Sequence, residues 1–199
     1  LRLVTERAAA GDIDLVVSNA GVSAYGPFAQ IDPLELERAW TLNADATPAL
    51  TRAALPGMLE RGRGGVIAVA SNLAFSAGVP STPAAHGRSL PQRALYVGAK
   101  AGLVAFARML ATELEGTGVH AMALCPGLVS SEWNGGASQV PNAMTPADVA
   151  RAAWSGFSSG EVICLPGLEA TDLLQDLAST ERAIMGGNMG AGLADRYRD

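Results

Sequence analysis

Aromatic side chains are scarce here, at 5% of 199 residues, while glycine alone contributes 23. A core with few large rings relies on Ala, Gly, Leu and Val, which let helices lie close on a sheet, and points to a layered α/β domain. Charge is scarce too: 17% of residues against 49% apolar, which excludes a disordered chain. The formal net charge is −5 with no basic stripe, so a nucleic-acid partner is not expected. The longest apolar runs are of strand length, and no secretory leader opens the chain, so neither is a membrane partner expected. Cysteine is limited to Cys125 and Cys164, at a spacing that matches no metal or redox pattern. Reduced core thiols in a cytoplasmic protein are the expectation. His86 and His120 stand far apart without ligand-type neighbours, so neither is read as catalytic and no metal site is expected. The chain opens on Leu1, not Met, a first hint of a piece of a longer protein.

What is present alternates. Four apolar runs, Ile13–Ala20, Gly65–Ser71, Val119–Pro126 and Glu161–Pro166, are strand-length and continuous in apolar character, as expected of strands covered on both faces. Helical patterns lie between them. Asp32-Pro33-Leu34-Glu35 reads as a capped helix start, and Thr145-Pro146-Ala147-Asp148 repeats the device. Tyr96–Leu114 places Val97, Leu103, Phe106, Leu110 and Leu114 near helical spacing. Alternating strands and helices predict one domain over residues 1–199 with a parallel, doubly wound sheet. The first run reads as a central strand, yet every other predicted strand follows it. Its empty flank needs a preceding segment or a partner. Asn72–Ala94 and Ser130–Met144 are long loops at the carboxyl ends of strands, where open α/β sheets bind ligands. They are expected to wall a pocket to which Phe75, Leu128, Trp133 and Met144 lend apolar surface.

Tyr96-Val97-Gly98-Ala99-Lys100 puts a phenol and an ammonium one helical turn apart on one face. A phenol ordinarily titrates near 10, and a neighbouring ammonium favours the phenolate, so the pair is expected to serve as a general acid/base. Four further features accompany it: Asn19-Ala20-Gly21 closing the first run, Asn43 in the helix after Asp32, Ser71 closing the second run, and Pro126-Gly127-Leu128-Val129-Ser130-Ser131 after the third. Pro48 has no N–H for the carbonyl of Ala44, so it should loosen the helix beside Asn43 and leave room for a water.

In this order these motifs resemble the short-chain dehydrogenase/reductase family over essentially the whole chain. The resemblance implies a Rossmann-like sheet and an NAD(P)-dependent oxidoreductase interconverting a small-molecule alcohol and a carbonyl. Tyr96 would exchange the proton at oxygen, Ser71 would hydrogen-bond the substrate oxygen, and Lys100 would also hold the nicotinamide ribose. Asn43 would position a water that relays protons to Lys100. Asn19, Ala20 and Gly21 would line the adenosine side or brace the sheet, and Pro126, Gly127, Val129 and Ser131 would approach the nicotinamide. A homodimer or homotetramer through the helices carrying Asn43 and Tyr96 is also implied.

Two departures stand out. Ser71 and Tyr96 lie 25 positions apart, about twice the family's usual spacing, and Ser76 and Ser81 in the intervening loop are alternatives to Ser71. The family's glycine-rich phosphate turn, with its preceding strand and following helix, has no match at the front, so the sheet is expected to be N-terminally incomplete. Gly186-Gly187-Asn188-Met189-Gly190-Ala191-Gly192 imitates that turn but follows too short an apolar stretch. Two other readings remain: a non-redox relative of the halohydrin dehalogenases, against which Lys100 counts because those pair Ser and Tyr with Arg, and a non-enzymatic binding module.

Overall fold

The computed structural model describes residues 1–80, 90–132, 142–190 and 192–198. Four parallel strands, β1 (Leu15–Ser18), β2 (Gly64–Val69), β3 (Val119–Leu124) and β4 (Ile163–Cys164), form one sheet in sequential order. Leu15 pairs with Gly65, Gly64 with Val119, and Ala123 with Ile163. The strand cores fall inside the four apolar runs, because a strand covered on both faces has no polar side to alternate with.

Alternate residues feed the two faces. Val16, Val66 and Ala121 pack with residues of α1 (Arg2–Ala8), α3 (Ala46–Arg61) and α4 (Ala94–Glu113). Ile67, Met122 and Leu124 pack with α5 (Pro146–Ser158), whose Phe157 ring occupies the space a side chain on Gly65 would need. Helix α4 is long and apolar enough, by length and composition alone, to cross a membrane, which the run-length reading above did not anticipate. Its apolarity serves packing instead: Leu95, Ala99, Leu103, Val104, Ala107 and Leu110 are buried within the domain.

The predicted caps form. The Asp32 carboxylate accepts from the N–H groups of Leu34 and Glu35 at the start of α2 (Pro33–Trp40). Thr145 Oγ1 accepts from the Asp148 N–H at 3.1 Å at the start of α5. Such caps satisfy donors that the first helical turn leaves open.

Among the described residues strand β1 pairs with β2 alone, at an edge of the sheet. Its Val17, on the face that α5 covers further along, is 53% exposed.

The chain divides into two compact units, Leu1–Pro166 and Gly167–Asp199, where the sequence reading expected one domain over 1–199. The second unit contains α6 (Asp172–Gly187), which has no buried residue: Leu173, Ile184 and Met185 are all exposed. Gly186 and Gly187 end this helix and follow no strand, so they are not a phosphate turn.

Candidate active site

The carboxyl ends of β1, β2 and β3 and the first turns of α4 bring the predicted residues together. Ser71 follows β2 in extended conformation and caps a one-turn helix, Asn72–Phe75, its Oγ accepting from the Leu73 N–H at 3.1 Å. It is 7% exposed. The Tyr96 hydroxyl hydrogen-bonds the hydroxyls of Ser71 and Tyr25. Lys100, one turn further on, lies with Nζ 5.9 Å from the Tyr96 ring centroid and donates to the Val69 carbonyl at 2.8 Å.

The electrostatics differ from the expectation. Burial raises the Tyr96 phenol above its usual range, and the bonds to Ser71 and Tyr25 pull it back. The ammonium of Lys100, which the sequence reading credited with lowering Tyr96, sits over the ring and is held by a backbone carbonyl. Lys100 is itself pulled down from 10.5 to about 8 by burial. Cys125, at the end of β3, accepts from the Ser71 N–H, and burial raises its thiol to about 12, which makes it a neutral buttress behind the site. Both Cys125 and Cys164 are free and buried.

Asn43 is 2% exposed and lies in a wide turn, Thr41–Asp45, between α2 and α3, where the Ala46 N–H reaches back five residues to the Thr41 carbonyl. The loosening inferred from Pro48 is therefore present. Pro48 has no N–H to offer to the turn before it, in keeping with that loosening. The Asn43 amide is committed elsewhere: it accepts from the Val22 N–H at 3.0 Å and donates to the Val22 carbonyl at 2.8 Å. Its side chain thus braces the segment after β1.

The remaining predicted residues divide. Asn19 and Ala20 are exposed and Gly21 half-buried beyond the open end of β1. Pro126 accepts from the Asn72 N–H at 3.0 Å, tying the β2 and β3 exits together. Gly127 has only ordinary contacts where a Cβ would stand, so neighbouring protein atoms do not require glycine there, and the backbone is open to a close-lying group. Val129 bridges Met144 at the neck of the second long loop, and Ser131 is half-buried nearby. Ser76, the alternative to Ser71, donates to the Leu73 carbonyl at 2.7 Å and accepts from Arg93 Nε at 2.9 Å, whereas Ser71 is the serine that meets the Tyr96 hydroxyl. Ser81, His86 and Trp133 lie outside the described residues. His120 packs edge-on against Phe157, ring centroids 6.1 Å apart. A cleft of about 460 Å³ lies between Gly26–Ala29, Ser76–Val79 and Gln92–Val97. Sequence reasoning missed Tyr25. Its only sequence signal was a phenol four residues after Asn19-Ala20-Gly21, in a segment leaving a strand's carboxyl end.

A family model described as short chain dehydrogenase matches residues 2–141, and the chain belongs to that family. It is similar to the ketoacyl reductase HetN of a Nostoc species, with 37% identity over 60% of this chain and 38% of that protein. It is likewise similar to 1-deoxy-11-beta-hydroxypentalenate dehydrogenase of Streptomyces exfoliatus, with 34% identity over 83% of this chain and 59% of that one. The chain thus spans less than two thirds of these relatives. Among solved structures, a short-chain dehydrogenase from Sphingobium yanoikuyae in complex with NADPH aligns with a TM-score of 0.85 and 25% identity, covering 98% of this chain and 74% of that one.

The family binds NAD(P), and the residues present fit its nicotinamide end: Gly127 is open to a close-lying group, and Tyr96 and Lys100 stand at the same sheet edge.

Proposed function

We propose that this chain carries the catalytic half of an NAD(P)-dependent oxidoreductase that interconverts a small-molecule alcohol and a carbonyl. The observation that carries this reading is the hydrogen-bonded Ser71–Tyr96 hydroxyl pair, with Lys100 beside the Tyr96 ring. When bound, the cofactor supplies or accepts the hydride. Ser71 donates to the substrate oxygen and stabilises the charge that develops there. Tyr96 gives its hydroxyl proton to that oxygen in reduction and takes it back in oxidation. Lys100 would hold the ribose hydroxyls with its ammonium, and Asn43 would position a water on the proton path. Pro126, Gly127, Val129 and Ser131 support the nicotinamide, and Asn19, Ala20 and Gly21 the adenosine side. A glycine-rich turn for the cofactor phosphates would lie in a segment other than these 199 residues.

Assembly as a cytoplasmic homodimer or homotetramer belongs to the same proposal. Gly102 on α4 has open space around it and Met109 is 60% exposed, which supports close approach of a second copy. A binding-module reading is favoured only by the open edge of β1.

The test is NADH and NADPH binding, followed by fluorescence, together with turnover on a panel of secondary alcohols and ketones, in the full-length protein and its Tyr96→Phe variant. We expect binding to survive in the variant while turnover falls by roughly 10²-fold or more. A full-length protein that binds neither cofactor, or a variant that turns over within a few-fold of the parent, defeats the proposal.

A further inference from the structure

Tyr25 is a second phenol at the reacting end of the site, and the fold holds it from both sides. Three residues earlier, Val22 is gripped by the Asn43 amide through both its N–H and its carbonyl. Ala24 is 5% exposed and packs with Ala39 and with Leu95, the chain neighbour of Tyr96. Gly26 donates its N–H to the Gln92 carbonyl at 2.8 Å, at a φ of +147° that favours glycine. Between the anchors at 24 and 26, the Tyr25 ring meets the Tyr96 ring edge-on, with centroids 5.2 Å apart and planes at 62°. That is a favourable aromatic geometry.

We infer that Tyr25 is a positioning residue for proton exchange at Tyr96: the two hydroxyls share a hydrogen bond, so the phenols titrate as a coupled pair. The inference rests on Tyr96 being the acid/base. When Tyr96 releases its proton to the substrate oxygen, Tyr25 keeps its own proton and donates to the phenolate left behind. When Tyr96 recovers the proton, that bond returns to a neutral one. Hydrogen bonds to ionised oxygen are about twice as strong as neutral ones, so Tyr25 stabilises the phenolate form selectively. This matches the direction of its effect, which opposes that of burial. The ring also takes up room at the reacting oxygen, which narrows the substituents a substrate can carry there.

Other groups around Tyr96 come from three elements. Ser71 follows β2 and Lys100 lies one turn along α4, with the Cys125 thiol behind it at the end of β3. Arg93, at the start of α4, donates to the carbonyls of Ser76, Val79 and Pro91. Ionisation of lysine, arginine and cysteine leaves the phenolate absorbance band silent, so Tyr96 and Tyr25 can be followed separately.

The chain has three tyrosines, Tyr25, Tyr96 and Tyr197. In a Tyr197→Phe background, spectrophotometric titration reads only the pair. We expect two steps separated by about one pH unit or more, and a single step lying between them in each of Y25F and Y96F. If the two single-variant curves simply add up to the parent curve, the inference is overturned. Phe at 25 keeps the ring packing. Should Y25F nonetheless misfold, Y96F alone decides by reciprocity: a Tyr25 step equal to its contribution in the parent overturns the coupling. In the active full-length enzyme, Y25F should move the pH profile of kcat upward by about one unit with little change in KM. An unmoved profile counts against the inference. The titration contains neither cofactor nor substrate. Additive curves in an active enzyme therefore sink only the role of Tyr25, while coupled curves in a protein without turnover sink only the oxidoreductase reading.

Discussion

Lys100 carries a stability cost whose pH dependence can be worked out in advance. It is 4% exposed, and burial brings its pKa from 10.5 to about 8, with Cys125 acting weakly in the opposite direction. Below pH 8 both folded and unfolded chains hold the proton, and the folded state bears the full cost of a buried ammonium. Between about 8 and 10.5 the folded chain releases a proton that the unfolded chain keeps, so stability rises with pH and levels off above that window. The gap between the two pKa values corresponds to roughly 3 kcal/mol. The thiols act in the opposite sense. Cys125 and Cys164 are raised to about 12 and about 11, so unfolded thiols ionise first and stability falls above pH 9. Comparison with Lys100→Met cancels that contribution, along with the fixed loss of the bond to Val69. Urea denaturation of both proteins from pH 7 to 10.5 should show the parent gaining roughly 3 kcal/mol on the variant, nearly all of it above pH 8. A difference flat to within about 1 kcal/mol across that range would refute the buried, depressed lysine.

Two further substitutions probe the scaffold behind the site. Asn43→Ala strands the N–H and carbonyl of Val22 and opens a cavity at a 2% exposed position, so we expect a loss of about 2–4 kcal/mol by urea denaturation, with faster hydrogen exchange at the Val22 amide. An unchanged exchange rate would argue against the clamp. Gly118→Ala places a Cβ against the Gly62 carbonyl at a φ of +78°, which should lower stability by at least about 1–3 kcal/mol and reduce Tm. A neutral result would mean that the β3 entry turn relaxes freely.

Much of the unit Leu1–Pro166 was legible because its determinants are local or periodic. Continuous apolar runs located the four strands of the described residues, most clearly β2, where burial on both faces removes the alternation that a half-exposed strand shows. Asp32 and Thr145 announced helix starts through the few side-chain oxygens that can reach a first-turn N–H. Pro48 foretold the wide turn at Asn43 because a missing N–H is written in the residue itself.

The pair of Tyr96 and Lys100 shows where the two sources of information part. A four-residue spacing on a helix determines from sequence alone that both side chains share a face, and the order of the surrounding motifs determines the family. Only tertiary structure decides what each group feels there. The fold sends the Lys100 ammonium to the Val69 carbonyl and brings Ser71 and Tyr25, from the exits of two different strands, onto the Tyr96 oxygen. Burial and hydrogen-bond partners set the acidity of a phenol, and both arise from contacts between residues 25 and 71 positions distant from it along the chain.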